Sequence, residues 1–237
     1  MKRIVAIALG TFLATSSIVF AESDIKGTII NQNTTKQSTN VAVGQDNKAN
    51  LGSVEMKNVQ MQGTVVNRVG AEKATNVAVG QGNEANLGSV NMENSKVQGS
   101  VINQTTGKNL TNVAVGSGNE ANLGSVNLEN ADVKGTIYNR TTGENVTNVA
   151  VGHENKANLG SVNLENAGVQ GTVVNQTTGK NLTNIAAGQG NEANLGSVNI
   201  ENSRVSGTIV NQTNVENATN VAAGSGNQAN MSSVVVE

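Results

Sequence analysis

The chain has 237 residues, no Cys, no Pro, no Trp, a single His and a formal net charge of −2. These absences exclude a disulfide scaffold and ordinary zinc sites, which need several sulfur or nitrogen ligands. No basic cluster occurs either, so the phosphate-neutralising footprint of a nucleic-acid binder is missing.

The first element is a leader. Met1-Lys2-Arg3 is a short basic stretch, and Ile4 to Phe20 is mostly apolar but interrupted by Gly10, Thr11, Thr15, Ser16 and Ser17. Val19-Phe20-Ala21 places small residues at the −3 and −1 positions of a cleavage site, so residues 1–21 read as a secretory signal peptide cut after Ala21. Removing Lys2 and Arg3 leaves 13 basic and 17 acidic residues, a net charge of −4. No later segment is apolar enough to cross a membrane as a helix. Phe12 and Phe20 go with the leader, so Tyr138 is the one aromatic residue of the remaining chain. A core without aromatic bulk must be thin and built from Val, Ile, Leu, Met, Ala and Gly.

After a short lead, residues 22–26, one unit of 36 residues repeats without insertion or deletion. Its copies are 27–62, 63–98, 99–134, 135–170, 171–206 and 207–237. Three Asn positions recur in all of them: Asn31, Asn67, Asn103, Asn139, Asn175 and Asn211; Asn40, Asn76, Asn112, Asn148, Asn184 and Asn220; and Asn47, Asn83, Asn119, Asn155, Asn191 and Asn227. Ala-Asn follows the third row two residues later, as at Ala121-Asn122.

Within a copy the short β-prone runs are 113–115, 125–129 and 133–138, the last alternating apolar and polar residues at period 2. Thr-Thr-Gly at 105–107 and Gly-Ser-Gly-Asn at 116–119 read as turns. The expectation is an all-β chain, a β-solenoid of six stacked 36-residue coils with about three strands each. Equivalent residues would then stack at the roughly 4.8 Å spacing of a sheet, giving a stack about 29 Å long. One inserted residue would flip every later strand to its other face, which accounts for the constant period. Stacked Asn side chains would form hydrogen-bonded ladders along the axis. The row Lys57, Glu93, Glu129, Glu165 and Glu201 puts four like charges in line, to be offset by neighbours such as Lys96 or Arg204.

The run Gly116-Ser-Gly118-Asn119-Glu-Ala121 resembles the Gly-x-Gly-Asn-x-Ala core of curli-type amyloid repeats, and residues 80–85, 188–193 and 224–229 match it too. Residues 220–230 are similar to repeats of the Fap-type biofilm fibre proteins. The resemblance implies an exported stacked-β protein that builds extracellular fibres. The copies here are longer than curli repeats, lack that family's paired Gln, and lack the Cys-x-x-Cys of Fap-type subunits. A second resemblance, through Asn-Val-Ala-Val-Gly runs, is to head repeats of trimeric autotransporter adhesins.

No catalytic constellation is legible. His153 stands where other copies carry Gln or Ser and reads as a solvated turn residue. Asp24, Asp46 and Asp132 are scattered across copies, so no hard-cation site is expected. The Thr-Thr pairs at 34–35, 105–106, 141–142 and 177–178 fail in two copies and are not read as a functional Thr array. The expectation is therefore a non-enzyme without cofactor or metal. Val234, Val235 and Val236 would form an uncapped apolar edge at which copies associate head to tail, with a nucleator or export protein as a further partner. The alternative is a non-polymerising surface adhesin or glycan-binding module.

Overall fold

A computed structural model describes residues 17–46 and 48–236; residues 1–16, which hold most of the expected leader, Asn47 of the third Asn row and Glu237 lie outside the described residues. The described residues are all β, and the chain is a β-solenoid of about six turns. Every strand pairing is parallel and joins a residue to the one 36 positions on, as Asn103 to Asn139 and Leu123 to Leu159.

Three sheets form the walls. The first is built from long strands such as Asp132–His153, Gly168–Gln189 and Arg204–Ser225. The second stacks six four-residue strands from Lys48–Leu51 to Gln228–Met231. The third stacks seven strands, from Ile18–Ala21 through Val54–Lys57 to Val234–Val236. The seventh arises because Ile18–Ala21, residues read from the sequence as the end of the leader, pairs with Val54–Lys57 in the same 36-residue register.

One coil explains the local choices. In Val101–Ser117 the inward residues are Val101, Asn103 and Thr105, then Leu110, Asn112 and Ala114. The inward phase shifts at Asn109, whose φ of 56° turns the chain. Gly118 (φ 64°), Gly124 (φ 64°) and Asn130 (φ 48°) make the remaining corners. These are left-handed conformations that Gly and Asn adopt most readily. The reading of 105–107 as a turn is therefore corrected: the strand runs through it, and the corner falls at Asn109. Thr105 stays in the strand because its buried hydroxyl donates to the Gly88 carbonyl at 2.8 Å, a cross-coil bond that no local turn propensity reveals.

The interior is layered. Val126, Leu128, Val133 and Val101 belong to the largest apolar cluster, Leu110 and Leu123 to a second, and Ala114 and Ala121 to a third. The Asn rows interleave with these clusters along each strand. The first row of repeat glycines serves close approach. A Cβ on Gly135 would lie 1.9 Å from the carbonyl oxygen of Gly99 in the preceding coil, at a φ of +144°.

Gly135→Ala should cost about 3 kcal/mol, because the clash is with backbone that cannot move without breaking the ladder. Gly118→Ala meets nothing within 4 Å and should cost only about 1–2 kcal/mol for its φ. Urea unfolding followed by circular dichroism compares the two.

Candidate functional site: asparagine ladders, an acidic groove and open rungs

The two inner Asn rows are true amide ladders. In the first, Asn31, Asn67, Asn103, Asn139 and Asn175 each donate from Nδ2 to Oδ1 of the Asn in the following coil, at 2.9–3.1 Å, ending on Asn211. The second Nδ2 hydrogen crosses the interior to a Ser carbonyl, as from Asn139 to Ser161 at 3.2 Å. In the second ladder Asn40, Asn76, Asn112, Asn148 and Asn184 donate in the same direction, at 2.8–3.0 Å, ending on Asn220. Their spare hydrogen reaches an Ala carbonyl of the second sheet, as from Asn112 to Ala85 at 2.9 Å. A buried amide without partners costs several kcal/mol, so these rows tolerate only a residue that bonds both to its copy and across the coil.

The third row is built differently. The backbone N–H of Asn83, Asn119, Asn155 and Asn191 donates to Oδ1 of the Asn one coil on, at 2.9–3.0 Å. The side-chain nitrogens of Asn119, Asn155, Asn191 and Asn227 have no hydrogen-bond partner. This row is thus a backbone-to-side-chain staple at the turn, and not an amide–amide ladder. The reason is geometric: the Asn follows the left-handed residue of the turn, which aims its oxygen at the neighbouring backbone.

Three further ladders were not singled out in the sequence. Asn86, Asn122, Asn158, Asn194 and Asn230 each donate to the Asn of the preceding coil, starting from Asn50. Asn127, Asn163 and Asn199 do the same from Asn91. An exposed set runs from Asn217 through Asn181 and Asn145 to Asn109. The signal for the first of these was present, since Ala-Asn recurs in every copy. The two inner ladders thus point their donors one way along the axis and these three the other.

The second and third sheets meet at an acidic groove lined by Glu84, Glu120, Glu192, Glu93, Glu129 and Glu165. The like-charge row is balanced by Lys57, 2.9 Å from Glu93, and by Lys156, 3.1 Å from Glu165. No ion pair joins Lys96 or Arg204 to that row among the described residues, because both start strands of the first sheet, on another wall. Burial, reinforced by Glu120, raises the Glu84 carboxyl above its ordinary range. Burial, with Glu165 and Glu93 beside it, raises Glu129. For Lys156, burial pulls downward, but Glu120, Glu165 and Glu192 outweigh it and lift the ammonium to about 12.

On another face the row Lys36, Glu72, Lys108, Glu144, Lys180, Glu216 alternates in sign. Lys108 pairs with Glu144 and Lys180 with Glu216, each at 3.1 Å. His153, read from the sequence as a turn residue, is exposed but ends the strand Asp132–His153, and the turn begins at Glu154. Among the described residues no group of three or more His, Cys, Asp or Glu could hold a metal ion, and no helix is long and apolar enough to cross a membrane.

The last described rung is Val234–Val236. Val234–Val236 pairs with Val198, Asn199 and Ile200 alone. Val234 and Val236 are 48% and 69% exposed, although Val198 and Ile200, one coil earlier, are buried. Val235 stands in the Asn199 row and stops that ladder, leaving Asn199 Oδ1 without a partner. No protein-family model, curated protein or solved structure matches this chain.

Asn139→Ala should cost about 2–4 kcal/mol, because Asn175 Oδ1 and the Ser161 carbonyl lose the Asn139 donor and Asn103 Nδ2 loses one of its two acceptors. Asn145→Ala loses only exposed amide bonds but sets Ala at a φ of 55°, so it should cost about 1 kcal/mol, and thermal melting compares the two.

The carboxyls of Glu84 and Glu129 have folded-state pKa values above the ordinary 4.5, so the folded state holds protons more tightly than the unfolded chain. Their contribution to stability therefore grows as pH falls through the raised values to about 4.5. The Lys156 contribution is complete below 10.5 and lost as pH rises through about 12. Urea midpoints across pH should rise on mild acidification, and less so in Glu84→Gln.

Proposed function

We propose that this is a secreted, non-enzymatic structural protein whose copies associate head to tail into extracellular fibres or a surface layer. The observation that carries the reading is that both ends of the described stack present in-phase strand edges with complementary groups. Continuing the 36-residue register from one copy to the next sets Asp24 of the second copy over Arg204 of the first, and Lys36 over Glu216. Both contacts pair opposite charges, and the second extends the alternating row. The inner ladder presents Asn211 Nδ2 at one end and Asn31 Oδ1 at the other. Head-to-tail contact therefore continues it, whereas head-to-head contact opposes two acceptors. Unpaired parallel edges of this kind template the addition of further strands.

A second reading, a non-polymerising surface module that binds a glycan, draws support from the acidic groove. Its carboxylates and the Asn127 and Asn163 amides that line it are groups that hydrogen-bond sugar hydroxyls.

Electron microscopy and fibre diffraction of residues 22–237 near neutral pH separate the two. Ordered filaments with a meridional spacing of about 4.7–4.8 Å support the fibre. Monodisperse particles under all salt and seeding conditions overturn it and turn attention to glycan screening. Glu216→Lys should slow filament growth about tenfold at low salt, and adding Lys36→Glu should restore it, since the pair is then re-formed with reversed sign.

A further inference from the structure

The strand Ile18–Ala21 behaves as a rung of the solenoid. The Ile18 N–H donates to the Ser53 carbonyl at 2.9 Å and the Glu22 N–H to the Lys57 carbonyl at 3.0 Å. The Ser53 N–H donates to Ser17 Oγ at 3.3 Å, as the Ser89 N–H does to Ser53 Oγ at 3.2 Å one coil later. Ile18 and Phe20 pack on the largest apolar cluster, against the side that Val54 and Met56 present.

This short stretch also has a counterpart at the other end of the stack. Ser17-Ile18-Val19-Phe20 matches Ser233-Val234-Val235-Val236 in pattern, and the two stand six repeats apart, in the same phase of the coil. That phase has a steric consequence for assembly. A second copy that continues the register, with its Asp24 over Arg204 and its Asn31 over Asn211, brings its own Ile18–Phe20 onto the rung already filled by Val234–Val236 of the first copy. Two strands cannot occupy one rung of a sheet whose strands lie about 4.8 Å apart. Either the second copy keeps its own strand beside Val54–Lys57, or it accepts the strand of its neighbour.

We propose that the rung beside Val54–Lys57 is a docking site for Val234–Val236 of a second copy, and that Ile18–Ala21 occupies it until the leader is cut after Ala21. The proposal rests on the cleaved-leader and head-to-tail readings. It makes cleavage the step that opens the interface. Before it, Ile18 and Phe20 cover Val54 and Met56. After it, Val234 and Val236 cover them, and the exposed apolar surface at the far end of one copy is buried by the near end of the next. Strand exchange is conservative at each inward position, aliphatic for aliphatic at 18 and 234, with Val in place of Phe at 20 and 236.

The test compares three refolded proteins by electron microscopy and sedimentation: the full-length chain; the same chain cut after Ala21 by signal peptidase, with Glu22 confirmed as its first residue by mass spectrometry; and the uncut variant Ile18→Asp/Phe20→Asp. The variant keeps the length and bulk of the leader but cannot seat two charges on the apolar cluster. The expected result is ordered filaments from the cut chain, loss of filaments in the uncut chain, and their recovery in the uncut variant. Uncut chain added in small proportion to growing filaments should halt growth at one end only, since its Val234–Val236 edge can dock while its other end is closed. Equal filament formation by cut and uncut chains overturns the proposal and leaves the fibre reading standing. An uncut variant as inert as the uncut chain also overturns it, because leader bulk then suffices. Failure of the cut chain to assemble at all sinks the head-to-tail reading and this proposal with it.

Discussion

In-phase stacking is the constraint on which the rest of this structure depends. Every coil must present the same side chain at the same height, because each amide within the two inner rows finds one partner in a neighbouring coil and another across the interior. Asn139 illustrates both demands, donating to Asn175 and to the Ser161 carbonyl. A chain that slipped by one residue would lose both bonds and bury a polar outward residue in their place. The same closeness of coils accounts for Gly99 and Gly135, where any side chain would collide with the carbonyl above or below. The 36-residue period is the length of one such circuit, and all the pairings observe it.

The core differs from that of a globular domain because of this geometry. Among the described residues the aromatics are Phe20, packed at the first rung of the largest apolar cluster, and Tyr138, so no column of aromatic side chains fills the centre. Narrow apolar columns of Val and Leu, of Leu, and of Ala alternate with polar rows instead. Apolar burial then contributes coil by coil, while the amide rows set the phase. Stability in such a stack is close to a sum of nearest-neighbour terms.

Polarity is a second consequence of the ladders. Parallel strands give the stack a direction, and each amide row repeats it as a chain of dipoles. The two inner rows and the three outer rows run oppositely, so their ends offer donors and acceptors at the same face. On the proposed head-to-tail reading, such a face meets the opposite face of a second copy and not its own kind. The charges follow the same rule: alternating Lys and Glu satisfy one another along the axis and leave unlike signs at the two ends. In the groove, where the sequence sets Glu in successive coils, Lys57 and Lys156 offset part of the repulsion. Burial absorbs the remainder by holding Glu84 and Glu129 closer to their neutral forms.

By itself the sequence determined the period, the all-β class and the solenoid, because spacing without insertion has one simple physical cause, stacking in register. It also determined the two inner Asn ladders, since an invariant polar residue within an apolar run must pair with its own copy. Tertiary structure decided what the linear pattern could not express. It set the corner at Asn109 and kept Thr105 in the strand, because the bond to Gly88 spans two coils. It made the third Asn row a backbone staple, because the direction of a side chain at a turn follows from φ and not from residue type. It brought Lys156 to Glu165, residues of two different sheets, so the balance of the acidic row was settled across a corner that sequence distance conceals. It also placed Ile18–Ala21 in the rung that Val234–Val236 matches, a relation that becomes physical only when the coil is closed and each residue has a height along its axis.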